Sequence, residues 1–389
     1  MKKKRLILIV CSCLCVVFAG VVMAIAISYT SPQHRHVLGK NKTYHICNDH
    51  IYYTRVCQDG CDVAFETKAT LTDVFTSVTE EDDIILDEDV SLTEELFIKS
   101  FVGTGNDVKD LELNINLDLN NFTLSINVDE TENDTMFMFN ANRGKINFNI
   151  SNGKISSQDT SYIFRFKNTT RSGDNIKLNI DNVECLVSGI KATPLFAHDC
   201  VNIEVNANNS KFISNTTTSN TGDYGVGVFI NSDSQFNFTN CYFEGGDAVY
   251  VKDGTVNLTG CKLVNEGLVQ HPTQGVETLF SAVGACLTAD SHTTSKDITT
   301  FIITIKDCEM ESRSSYKMIY VIETAYASGV QVGVDDKSII DVQSCAFNND
   351  PTWHAIPQYE LVQYPNGEAP QNYGTQTWIC GNIASEVDE

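Results

Sequence analysis

Gln235-Phe-Asn-Phe-Thr-Asn-Cys-Tyr-Phe243 reads onto Thr255-Val-Asn-Leu-Thr-Gly-Cys-Lys-Leu263, twenty residues further on. In that frame Val256 lies over Phe236, Leu258 over Phe238 and Cys261 over Cys241, and the same offset carried backwards sets Asp253 over Asp233 and Ala248 over Val228. Self-similarity at such a period marks a chain of stacked supersecondary units. Taking the cysteine as anchor, the frame also fits at Phe122, Gly153, Val183, Ser210, Cys308 and Cys345. Two residues after the anchors stand Leu124, Ile155, Cys185, Phe212, Phe243, Leu263, Met310 and Phe347, all apolar. Three before them stand Leu119, Ile150, Ile180, Ala207, Phe238, Leu258, Ile305 and Val342, and five before them Leu117, Phe148, Leu178, Val205, Phe236, Val256, Ile303 and Ile340.

Alternation of apolar residues at the −5 and −3 positions is a strand with one face inward. Immediately before the anchors come Asn121, Asn152, Asn182, Asn209, Asn240, Gly260, Asp307 and Ser344. Asn, Asp and Gly tolerate the left-handed backbone region, so this column predicts a sharp bend. The inward column resumes after the bend as a second sheet. One coil cannot bury its inner face alone, whereas stacked coils can, like residue above like. Spacings of 20 to 47 residues between anchors imply that loops of different length leave the other corners.

Leu117-Asp-Leu-Asn-Asn-Phe-Thr-Leu-Ser125, preceded by Asp82-Asp-Ile-Ile-Leu-Asp-Glu-Asp-Val-Ser-Leu92, resembles the opening coils of pectin-lyase-like right-handed β-helix proteins. The resemblance spans roughly residues 68–350 and implies an all-β, right-handed parallel β-helix, in which Leu71-Thr-Asp-Val-Phe75 forms a cap over the first coil. The expected organisation is a signal anchor or signal peptide at 1–28, a Cys- and His-containing linker at 29–64, the β-helix at 65–351, and a C-terminal cap or tail at 352–389.

The N-terminus carries Lys2, Lys3, Lys4 and Arg5 before an uncharged apolar run from Leu6 to Ile27. Twenty-two residues are close to the roughly 20 that span a bilayer and exceed the usual signal-peptide core of about 7–15. Ala24 and Ala26 leave a cleavage site open. In either case the positive-inside rule sends everything after Ser28 outward, giving a chain anchored by residues 6–27 with its bulk extracellular, on the cell surface or secreted.

Over 389 residues the formal charge is −23, which excludes nucleic acid and anionic membrane surfaces as natural partners. Nine N-x-S/T sequons occur, at Asn41, Asn121, Asn133, Asn149, Asn168, Asn208, Asn215, Asn237 and Asn257, and an Asn-rich β-helix generates such triplets by composition. Cys241, Cys261, Cys308 and Cys345 share an inward column and read as core residues. His45, Cys47, His50, Cys57 and Cys61 are residue types that zinc uses, but their spacing fits no zinc motif, and an exported location favours a disulfide among Cys47, Cys57, Cys61, Cys200 and Cys380.

The resemblance also says what chemistry to look for. Hydrolases of this fold carry paired Asp residues with a neighbouring His and a basic residue, yet the chain has no Asn-Thr-Asp, Gly-His-Gly or Arg-Ile-Lys. Gly245-Gly-Asp247-Ala-Val keeps one such Asp. If the chain is an enzyme, Asp247 is the candidate acid, Asp233 and Asp253 are a stacked pair able to hold sugar or cation, and His271 and His292 lie in the long excursion between Cys261 and Cys308. No cofactor is implied, apart from Ca²⁺ in the case of a lyase. The expectation is therefore a non-catalytic surface module that binds extracellular glycans or surface proteins, an adhesin-like role. The alternative is a polysaccharide lyase or glycoside hydrolase with a degenerate motif.

Overall fold

The computed structural model describes residues 37–348 except 49, 59, 79–81, 104–106, 128–134, 159–161, 168–174, 190–191, 217–224, 267–284, 291–299, 314–318, 323, 328–329 and 334–337, together with 379–380. The described chain is all-β with one short helix, and its strands stack in parallel into three ladders that each coil visits in turn.

In the first ladder, Ile84 pairs with Leu117, Leu117 with Ile150, and the row continues through Ile180, Ala207, Phe238, Leu258, Ile305 and Val342 to Cys380. In the second, Val90, Leu124, Ile155, Cys185, Phe212, Phe243, Leu263, Met310 and Phe347 are successive partners. The third runs through Leu96, Phe137, Phe164, Leu195, Val228, Val249, Leu287 and Ile319. These rows are almost wholly buried and merge into one core cluster from Tyr44 to Cys345. Parallel strands joined in this cycle make a solenoid whose apolar faces are buried only by the coils above and below.

The bend column is left-handed at all eight expected positions, whereas the corner of the first rung, at residues 87–89, holds no residue of positive φ. Asn121, Asn152, Asn182, Asn209, Asn240, Gly260, Asp307 and Ser344 have φ of +66°, +57°, +55°, +49°, +53°, +63°, +53° and +53°. A residue with a Cβ ordinarily loses roughly 1–2 kcal/mol in this region, and Asn and Asp lose least because their side chains bond locally. Here Asn152 donates to Asp118 at 3.2 Å and Asn182 to Asn152 at 3.3 Å, so the bend side chains tie one coil to the next.

One row of the sequence frame is displaced. Leu117, rather than Leu119, stands over Ile150, while Leu124 still stands over Ile155. The first corner of that coil therefore holds two extra residues, and both Asn120 and Asn121 are left-handed. Leu119 fills the corner, fully buried. A Cβ on Gly153 in the next coil would come within 2.6 Å of the Leu119 Cβ and the Phe122 carbonyl, which accounts for glycine in the anchor column there.

The expected cap is present as helix α1, Leu71–Ser77, which Thr70 and Asp73 start with a reciprocal capping box. Phe75 is buried and its ring lies 6.1 Å from Phe148 and 6.4 Å from Phe137, closing the apolar end of the stack. The supposed linker at 29–64 is ordered sheet where it is described. Thr43–Ile46, Ile51–Val56 and Asp62–Thr67 form an antiparallel meander, and the first of these also pairs in parallel with Asp83–Leu86. In the tail, Ile379–Cys380 adds a rung to the first ladder beside Asp341 and Val342. The anchor segment at 6–27 lies outside the described residues, among which no helix is long and apolar enough to cross a membrane.

Two outcomes test this architecture by chemical denaturation. Asn182→Val should cost about 1–2 kcal/mol through the left-handed φ alone, and Asn182→Gly distinctly less. Phe236 has no exposed surface, so Phe236→Asp leaves a buried, unpaired charge worth several kcal/mol and should abolish cooperative unfolding. A soluble, native-like Phe236→Asp protein would contradict the stacking.

Candidate functional site

Asp247 opens the strand Asp247–Thr259 and sits beside Val226 of the preceding coil. Its carboxylate has no solvent exposure; Oδ1 accepts the Ala285 N–H at 2.8 Å and Oδ2 accepts the Thr288 hydroxyl at 3.1 Å. Asn265, also buried, donates to the Gly246 carbonyl at 2.6 Å, and a Cβ at Gly245 would meet three backbone atoms within 2.8 Å. Here the backbone packs tightly on itself, and the carboxylate braces the next coil. A general acid must reach its substrate's proton, and Asp247 in this arrangement does not face solvent.

Asp233 and Asp253 are not stacked. The offset between successive strands is twenty-one residues at Val228 and Val249, twenty-two at Asn231 and Asp253, and twenty again from Gln235 and Thr255 onward. The corner between the third and first ladders absorbs the irregularity. Asp253 therefore lies beside Asn231, its Oδ1 accepting the Gly254 N–H at 2.8 Å, and the exposed Asp233 lies beside Val201. His271 and His292 fall outside the described residues.

Two rows on the outside of the solenoid are more regular than any of these candidates. Between the inward −5 and −3 columns, the outward residue of the first ladder is Asn in six successive coils. Each carboxamide donates from Nδ2 to Oδ1 of the coil before it: Asn149 to Asn116 at 2.7 Å, Asn179 to Asn149 at 2.6 Å, Asn206 to Asn179 at 3.0 Å, Asn237 to Asn206 at 2.8 Å and Asn257 to Asn237 at 2.9 Å. Asn116 continues the row to Asp83 at 3.3 Å. A carboxamide offers two N–H donors and two acceptor lone pairs, so one donor and one acceptor site per residue suffice for the row. Glu204 and Gln235 engage part of the remainder, at 2.8 and 3.3 Å. The residues are half-buried, which leaves a rigid, uncharged polar line facing solvent. Every member from Asn149 onward was visible at position −4 of the repeat, but reading only apolar columns passes over it.

The second row lies outside the third ladder, where Phe196, Phe229 and Tyr250 alternate with the core residues Leu195, Val228 and Val249. With Tyr162 and Val226 they form a separate buried cluster. The rings stack at 4.3 Å (Tyr162 to Phe196), 5.0 Å (Phe196 to Phe229) and 5.3 Å (Phe229 to Tyr250), so Phe196 and Phe229 each have a ring on either side. Lys252 lies 5.6 Å from the Tyr250 centroid, Arg165 lies 5.4 Å from that of Tyr162, and His198 stacks on Phe196. Burial lowers the His198 pKa, opposed by Asp199 and reinforced by Lys252 and Arg165, which favours a neutral imidazole. These stacked rings hold coils together.

At the N-terminal meander, His45 Nδ1 is 3.0 Å from Asp87 Oδ1 and its Nε2 is 3.3 Å from the Thr54 hydroxyl; the Tyr52 hydroxyl donates to the other Asp87 oxygen at 2.5 Å. Burial and the Asp87 bond push the Tyr52 phenol upward, which favours its neutral, donating form. The disulfide joins Cys57 to Cys61, and among the described residues no group of three His, Cys, Asp or Glu is placed to hold a metal ion. The core cysteines behave as their column implies. The thiols of Cys241, Cys261, Cys308 and Cys345 each lie within S–H reach of the carbonyl two residues back in their own coil, at 3.4, 3.4, 3.2 and 3.4 Å, and of the carbonyl of the −3 residue one coil earlier, at 3.4, 3.4, 3.6 and 3.7 Å.

Thiols this deeply buried should resist alkylation in the folded chain. Mass spectrometry after iodoacetamide treatment at pH 8 should find Cys185, Cys200, Cys241, Cys261, Cys308 and Cys345 unmodified, and all six modified after denaturation. Rapid native labelling of the four-cysteine column would contradict its burial. Comparison of the chain with protein-family models, with curated proteins and with solved structures returns no match to any of the three.

Proposed function

We propose that this chain is a non-catalytic, surface-held binding module that uses the outer face of its first ladder to engage a glycan. The proposal includes a right-handed coil, which parallel crossovers overwhelmingly adopt, and an N-terminal anchor that leaves the solenoid outside the cell. The observation that carries it is the uninterrupted carboxamide row from Asn116 to Asn257, each member fixed by its neighbours. Sugar hydroxyls both donate and accept, as carboxamides do. A row held rigid before binding loses little conformational entropy on contact. The row is also uncharged on a strongly acidic chain, which fits neutral saccharides better than uronates, whose carboxylates the net charge of −23 would repel.

The lyase or hydrolase alternative would need its acid somewhere other than the buried Asp247, and a Ca²⁺ site other than the separated Asp233 and Asp253. One experiment addresses both readings. The exported chain is applied to a glycan array, and the same glycans are assayed for new reducing ends and unsaturated products, with and without Ca²⁺. The expected outcome is binding without turnover, weakened at least tenfold by Asn179→Ala. A loss of about 1 kcal/mol of stability lowers Tm by only about 2–4 °C in a domain of this size, so thermal melts separate lost binding from lost folding. Turnover of any of these glycans, or binding indifferent to Asn179, would overturn this assignment.

A further inference from the structure

Asn133 and Asn168 lie outside the described residues, and the amide row divides the other seven sequons into two kinds. Asn149, Asn237 and Asn257 belong to it, each with Nδ2 held 2.7–2.9 Å from the oxygen of the preceding coil and each in the middle of a strand paired on both sides. Asn41, Asn121, Asn208 and Asn215 are exposed. Asn121 occupies a left-handed corner, and Asn208 is the last residue of a rung, just ahead of the same corner three coils on. Composition explains why an Asn-rich solenoid contains sequons, but it does not explain this difference in surroundings.

We infer that Asn41, Asn121, Asn208 and Asn215 are N-glycan acceptor sites and that Asn149, Asn237 and Asn257 are silent in the folded protein. The inference rests on the exported reading above. In the transfer, the carboxamide nitrogen attacks the anomeric carbon of an N-acetylhexosamine carried on a lipid diphosphate. The new C–N bond forms as the C–O bond to the diphosphate breaks. The lipid diphosphate leaves with the bonding pair, and the nitrogen gives up one of its two protons to solvent. At an exposed corner the product points into water. In the row, a pyranose on Nδ2 would have to share a coil spacing of about 4.8 Å with the amides above and below, so a chain modified there would lose the row on folding. Glycans at Asn121 and Asn208 would line the first corner, next to the carboxamide row rather than on it.

The test is site-by-site occupancy in the full chain made in a glycosylating secretory system. Protease protection in microsomes first reports entry into the lumen. The folded, secreted fraction is then released with a peptide N-glycosidase in ¹⁸O-water, which leaves labelled aspartate at each occupied asparagine. The expected result is label at 41, 121, 208 and 215, none at 149, 237 and 257, and loss of one glycan band for each of Asn121→Gln and Asn208→Gln. Label at any row position in folded protein, or a protected chain bare at all four exposed sites, overturns the inference. An unprotected chain instead counts against the export reading alone; replacing residues 1–28 with a cleavable secretory leader then gives the same site map.

Discussion

Eight coils turn their first corner on a residue held at φ between +49° and +66°. That single backbone requirement sets the rest of the structure. Because the bend falls at the same place in the coils from Asn152 onward, the inward residues before and after it are in register with those of neighbouring coils, and backbone bonds run from coil to coil. No coil has a core of its own. Burial, strand pairing and side-chain stacking are all properties of the pile, and they appear together or not at all.

Stacking in register also explains the side-chain rows. When like residues repeat at the sheet spacing, whatever interaction one pair makes is repeated along the axis. Apolar residues give the continuous core, cysteines give a buried column of thiols, carboxamides give an external amide row, and aromatic residues give a second stack outside the third ladder. Each row strengthens the fold, and the half-buried amide row also presents a straight, evenly spaced line to solvent.

The places where the coils differ are the corners. The second corner carries long insertions, and the third contains the irregular register between Ile230 and Gln235. The one His–Asp–hydroxyl arrangement on the described chain, at His45, Asp87 and Thr54, lies off the solenoid's regular faces, where an antiparallel meander meets the first rung. Variation at such sites is cheap because few other coils depend on it.

The sequence by itself determined the coil. Apolar alternation identified the inward residues, and the Asn, Gly, Asp and Ser column located the bend at all eight positions, because each of these is a local requirement repeated often enough to stand out; the helix at Leu71–Ser77 was expected only from the family resemblance. The sequence misjudged the first described repeat, where Leu119 counts as a strand residue unless one knows that two left-handed residues follow it. It likewise paired Asp233 with Asp253, since a constant offset of twenty holds along straight strands and fails where a corner takes up extra residues. Whether Asp247 faces water or backbone, and whether a sequon asparagine is exposed or a rung of an amide row, only the tertiary structure decided. In both cases the answer depends on what the neighbouring coil places against the side chain, and residues far apart in the chain supply that neighbour.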